Sequence, residues 1–227
     1  MQPINRRSLV DTVVDELKRE ISAGRWVPGD RIPSEAELTT TLGVSRPSVR
    51  EAVRSLVQLG LLETKQGDGT YVIATDPTQV ALRRAIHSAD SREVIRVRRA
   101  LDELAAREAA EHRSDAELAE LEGRLTERTA AIAAGDAEAF ADADVAYHLG
   151  IAHASGNRLL ADIYASFDAS LRESVADASC LAQRNDPDRA DMHVALFQAI
   201  AAQDPNRAAA AALGVLEQQE RLLNELD

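Results

Sequence analysis

Between residues 34 and 73 the glycines at 43, 60, 67 and 69 cut the chain into two short helical segments and a hairpin, and this cadence constrains the fold more than any other feature. Ser34-Glu35-Ala36-Glu37 is a capping box, in which the serine hydroxyl accepts from the third helical N–H while Glu37 reaches back, so a helix starts here and runs to about Leu42. Gly43-Val44 breaks it. Ser45 is placed to cap a further helix over residues 46–59, with Pro47 in the first turn, where its missing N–H does no harm. Gly60 stops that helix. The runs LLETKQ and TYVI, on either side of Gly67-Asp68-Gly69, read as a hairpin within residues 61–73. Upstream, Leu9, Val13, Val14, Leu17 and Ile21 recur at three- and four-residue steps, an amphipathic helix over residues 8–23 that Gly24 ends, and residues 26–30 read as a turn. The expected first unit is three helices and a hairpin.

After Asp76-Pro77 the pattern changes, with glycine rare and no strand periodicity. Helices are expected over residues 79–87, 92–112, 115–134, 136–154, 158–180, 187–202 and 205–226, the last two opening with Asp-Pro, Asp as cap and Pro at the first helical position. The fold class is therefore mainly α, a winged helix-turn-helix over residues 1–75 followed by an antiparallel bundle of six to seven helices over residues 76–227. Aromatic residues make up only 3% of the chain against 45% apolar overall, so the core is expected to be built from Ala, Leu and Val. The run at residues 208–212 reads as close helix packing.

Charge follows the same division. Residues 1–75 carry equal numbers of basic and acidic side chains, so the whole net charge of -12 falls on residues 76–227. A neutral unit can bind phosphates when its arginines share one face. The lone Cys180 has no internal disulfide partner, the N-terminus lacks a signal-like apolar core, and no run of about 18 apolar residues appears. A cytoplasmic protein that does not span a membrane is expected.

Arg46, Arg50 and Arg54 lie four residues apart on one helix face, while Val49, Val53, Leu56 and Val57 can face the core. A recognition helix needs this division, since guanidinium groups bond guanine edges or phosphates while the back of the helix is held by its own domain. At this point PGDRIPSEAEL and LGVSRPSVREAVRSLVQLGLLETKQGDGTYV resemble the winged helix-turn-helix of the GntR superfamily over residues 8–74. The resemblance implies DNA contacts from Ser45, Arg46, Ser48 and Arg50 on the recognition helix and from Gln66 and Gly67 on the wing. It also implies an arginine at position 36, where this chain has Ala36, so that contact is missing.

In the second unit Asp144 and His148 lie four apart on one helix, and His193 on another can join them. A carboxylate and two imidazoles suit zinc, nickel, manganese or iron with open positions for water or an organic acid. His87, His112 and His153 lack such partners and read as ordinary histidines. The segments EVIRVRRALDELAA, DADVAYHLGIAHASGN and HVALFQAIAAQDP resemble the FCD ligand-binding domain of the FadR subfamily, and the extra helix near 79–87 agrees. That resemblance implies a divalent metal, zinc, nickel or manganese, on one Asp and three His. Asp144, His148 and His193 match three positions, but the fourth is Val215, so the shell is completed by water and effector or the metal has been lost. Arg98 matches an arginine that the subfamily points into its cavity, where it can grip an effector carboxylate; its other reading is a surface salt bridge. The expected protein is a homodimeric, ligand-responsive regulator of a pseudo-palindromic operator in double-stranded DNA, repressing until a small carboxylate-bearing effector binds. The rival readings are a non-haem-iron type enzyme, for which no general acid or base is identifiable, and a regulator with a purely organic pocket.

Overall fold

The computed structural model describes residues 8–172 and 192–226. Contacts divide the chain into Met1–Leu82 and Arg83–Asp227, and each unit is described by itself.

The first unit opens with α1 (Leu9–Ser22), capped by Ser8, whose hydroxyl accepts from Asp11 while the Asp11 carboxylate accepts from the Ser8 N–H. Val13, Leu17 and Ile21 are buried along one stripe and pack on α3 (Arg46–Gln58) through Val49, Val53 and Leu56. Between them lies α2 (Glu35–Leu42), started by the Ser34–Glu37 box and ended at Gly43, whose φ of 65° is a left-handed conformation that glycine adopts without steric cost. Ser45 caps α3 through the Ser48 N–H, and Pro47 sits in the first turn. The strands β1 (Leu62–Lys65) and β2 (Gly69–Val72) pair antiparallel, Leu62 opposite Val72 and Lys65 opposite Gly69. Gly67, at φ 79°, makes the reversal between them.

One feature was not expected. The segment after the turn at 26–30 runs along β2, with Ile32 N–H donating to the Thr70 carbonyl and Val72 N–H to that of Asp30, both at 2.9 Å, and a bridge between Arg31 and Tyr71. The wing is thus anchored on its outer side by chain that precedes α2.

The second unit is helical throughout its described residues. After α4 (Pro77–His87), which spans the division between the units, come α5 (Ser91–His112), α6 (Asp115–Ala134), α7 (Ala137–Ala154) and α8 (Arg158–Tyr164). The unit ends with α9 (Met192–Ala201) and α10 (Pro205–Leu226). Helix α5 packs on α10, α6 on α7, and α9 against α10. The first pair meets through small residues, Ala105, Ala106, Ala109 and Ala110 on α5 and Ala208, Ala209, Ala211 and Ala212 on α10, all buried. Methyl groups let two helix backbones approach closely.

The helix expected over residues 158–180 is interrupted. A 3-10 turn, Ala165–Phe167, follows α8, and helix resumes over 168–172, while 173–180, with Cys180, lie outside the described residues. The tighter turn aligns residues three apart, and both Tyr164 and Phe167 are buried. The helix expected over 187–202 is seen from Met192 to Ala201, and its Asp186-Pro187 start lies outside the described residues.

Candidate functional site

On α3 the side chains of Arg46, Arg50 and Arg54 are exposed while Val49, Ala52, Val53 and Leu56 are buried, so the helix presents a basic face and hides an apolar one. The Glu35 carboxylate, at the start of α2, reaches across to two of these arginines, 3.4 Å from Arg46 Nε and 3.2 Å from Arg50 Nη2. Hydrogen bonding from Arg50 holds the Glu35 carboxyl below the usual carboxylate range. Ser45 and Ser48 lie at the N-terminal end of the same face, their hydroxyls 2.9 Å apart. Gln66 and Gly67 are exposed at the wing tip. The Tyr71 hydroxyl donates to Asp68 at 2.9 Å, and Lys65 Nζ sits 4.8 Å from the Tyr71 ring, which steadies that tip. Glu35 is the residue that sequence reasoning passed over. Its signal was an acid at the first position of a helix that packs on α3.

The second constellation is interior. Asp144 and His148, one turn apart on α7, meet His193 at the start of α9, all three buried, with donor atoms within 4.8 Å of one another. His193 Nε2 lies 3.3 Å from Asp144 Oδ1, and His148 Nε2 lies 3.8 Å from Oδ2. The Tyr147 hydroxyl donates to the His193 carbonyl at 3.1 Å and ties α7 to α9. Burial alone would raise the Asp144 carboxyl, but His193 and Arg128 beside it hold it well below the usual carboxylate range. Burial pushes His148 down to about 4 against the pull of Asp144, so at neutral pH its ring is uncharged and free to ligate or accept.

Two buried arginines frame this cluster. Arg98 is not on the surface: it is 3% exposed, and its Nη2 donates to Asp102 Oδ2 at 3.1 Å, one turn along α5. Asp102, His148 and Tyr164, with Ala106, Ile151 and Leu196, line a narrow cavity with room for about one water. Arg128, on α6, is 1% exposed; its Nε donates to Asp144 Oδ1 at 2.7 Å, and its guanidinium lies 5.0 Å from the Phe140 ring centre. Sequence reasoning found Arg98 but missed Asp102, Tyr164 and Arg128. The signal for Arg128 was an arginine at the third position of the apolar series Leu121, Leu125, Arg128, Ile132.

By donor type and separation, Asp144, His148 and His193 could hold a metal ion. Two neighbours fit such an ion poorly: Arg128 already bonds the shared carboxylate, and Val215, where a fourth ligand is expected, is an apolar side chain buried on α10.

Residues 9–72 match the family described as bacterial regulatory proteins, gntR family, and residues 93–218 match the FCD domain. The galactonate operon transcriptional repressor of Escherichia coli (strain K12) is 32% identical over 225 residues, 95% of this chain and 97% of its own length. The HTH-type transcriptional regulator LutR of Bacillus subtilis (strain 168) is 32% identical over 212 residues, 90% of this chain and 96% of its own length. Among solved structures, Streptococcus agalactiae GntR superposes with a TM-score of 0.67 at 26% identity, covering 94% of this chain and 99% of that one. Two matched families in tandem, and relatives aligned almost end to end, place the exposed arginine face and the buried cluster in one kind of molecule: the chain belongs to the GntR family of ligand-responsive, DNA-binding transcription regulators, with an FCD domain as its effector-binding unit.

Proposed function

We propose that this regulator is a repressor that, as a homodimer, grips a pseudo-palindromic operator and releases it when a small carboxylate-bearing metabolite enters the FCD cavity. On this reading Arg46 and Arg50, with Ser45 and Ser48, enter the major groove from α3, and the wing carries Gln66 and Gly67 to the neighbouring groove. Two-fold symmetry of the protein would match the two half-sites of the operator. Effector binding needs to favour the released arrangement by about 1–3 kcal/mol to matter at an operator.

The observation that carries the effector class is the pair of buried arginines beside a neutral imidazole. Arg98 is already bonded to a carboxylate, that of Asp102, on the edge of the cavity, and an incoming carboxylate can take over that charge-assisted bond. The space beside it is small, so the acid enters only by displacing side chains, which gives it a means to shift the helices around it. The name of the galactonate operon repressor points the same way, to a hydroxylated acid of a few carbons. A divalent ion, zinc, nickel or manganese, on Asp144, His148 and His193 is a second reading of the cluster, favoured by the proximity of the three donors.

The test is a gel shift on the DNA flanking the regulator's own gene, with aldonic acids and short hydroxy acids titrated in, alongside thermal melting with the same compounds. Release of the duplex by one acid, together with a raised melting temperature, supports the proposal. Duplex binding indifferent to every carboxylate, with neutral or cationic metabolites active instead, overturns the effector class.

A further inference from the structure

We propose that Arg128 supplies the fixed positive charge that the Asp144, His148 and His193 cluster requires, so that this cluster is built around a guanidinium and works without a divalent ion.

Asp144 is 4% exposed, and a buried carboxylate persists as an anion only with a partner charge. Arg128 is that partner, donating from Nε to Oδ1 at 2.7 Å from a side chain that is 1% exposed. The same Oδ1 faces His193 Nε2 at 3.3 Å, so the guanidinium occupies the approach to the oxygen that a bridging ion would share with that imidazole. Were the ion to sit on Oδ2 instead, only one carboxylate would separate its two charges from the guanidinium.

Charge balance in the cavity agrees. Among the described residues lining or flanking it, Arg98 pairs with Asp102 and Arg128 with Asp144. Each of these two carboxylates thus already meets a buried guanidinium before any ion arrives, so a divalent cation on Asp144 would have to share a carboxylate that a fixed positive charge holds. Donor supply points the same way, because Val215 offers no ligand atom and is 7% exposed. The Phe140 ring also packs on the guanidinium, 5.0 Å from ring centre to Cζ, a fixed geometry that a removable cation does not need.

The inference stands whether or not the effector is a carboxylate, and its test needs no effector. Wild-type protein is dialysed, analysed for bound metals, and melted with and without zinc, nickel or manganese. The same is done for Arg128→Met, and for Arg128→Met combined with Val215→His, which supplies a fourth imidazole. Wild type is expected to retain no ion through dialysis and to show no change in melting temperature. Arg128→Met is expected to melt lower without metal, because Asp144 is stranded, and to recover by about 5 °C or more when an ion is added. The double variant should retain about one ion per protomer, and His193→Ala should abolish the gain in both backgrounds. If Arg128→Met does not fold, the wild-type measurements decide alone. A stoichiometric ion in dialysed wild type, or a wild-type shift as large as the variant's, overturns the proposal.

Discussion

Glu35 and Arg50 form a bidentate pair between α2 and α3, Arg50 Nε lying 3.3 Å from each carboxylate oxygen and Nη2 3.2 Å from Oε2. Because the same carboxylate reaches Arg46, one acid holds both arginines, and if α3 meets DNA as proposed, that acid orients them before the duplex arrives and also repels its phosphates. Removing the charge while keeping the shape separates these effects. Glu35→Gln is expected to strengthen binding to any duplex while narrowing the gap between operator and random DNA. Competition binding with both duplexes over a salt series measures it, and an unchanged ratio refutes the positioning role.

Arg50→Ala should weaken operator binding by about 1–3 kcal/mol if the guanidinium reads a base. If it contacts phosphate instead, affinity falls on all sequences and the salt slope drops by about 1. The side chain is half exposed and its loss leaves the α3 core face intact, so melting should change little. Wild-type affinity in both Arg46→Ala and Arg50→Ala would remove α3 from the interface.

Much of the first unit was legible because its signals are local: a serine three residues before a glutamate, a proline in a first turn, a glycine where φ is positive. The Arg31–Tyr71 bridge was not, since a single residue pair leaves no alternation to read. In the second unit Asp144 and His148 announced themselves by helical spacing, but Arg128 sat within an apolar series and was not singled out. Its partner lies 16 residues away on another helix, a separation no periodicity encodes. The break after Tyr164 was hidden for a related reason, because a 3-10 turn of three residues barely disturbs a helical pattern.

Tyr147 is fully buried and its hydroxyl is bonded to the His193 carbonyl. Tyr147→Phe keeps the ring packing and removes the tie, so a loss of about 1 kcal/mol in stability is expected. His193 then samples more positions, and the variant should lose more affinity for effector than for DNA. Equal losses, or none, would show that the bond is structural only.

The two units have separate cores, which makes their stabilities separable. Leu56 is fully buried in the first, against α1 and the hairpin, and Leu196 is 1% exposed in the second. Truncating either leaves a cavity that costs about 2–5 kcal/mol, enough to melt a small unit near room temperature. Leu56→Ala should abolish operator binding while most of the helical circular dichroism survives to the wild-type melting temperature, because residues 83–227 retain their own contacts. Leu196→Ala should do the reverse at first, lowering the main helical transition and abolishing the effector response. If each variant instead unfolds the whole chain in one step, the units fold as a single cooperative block. Effector binding would then reach α3 through global stability rather than through a movement of otherwise intact parts.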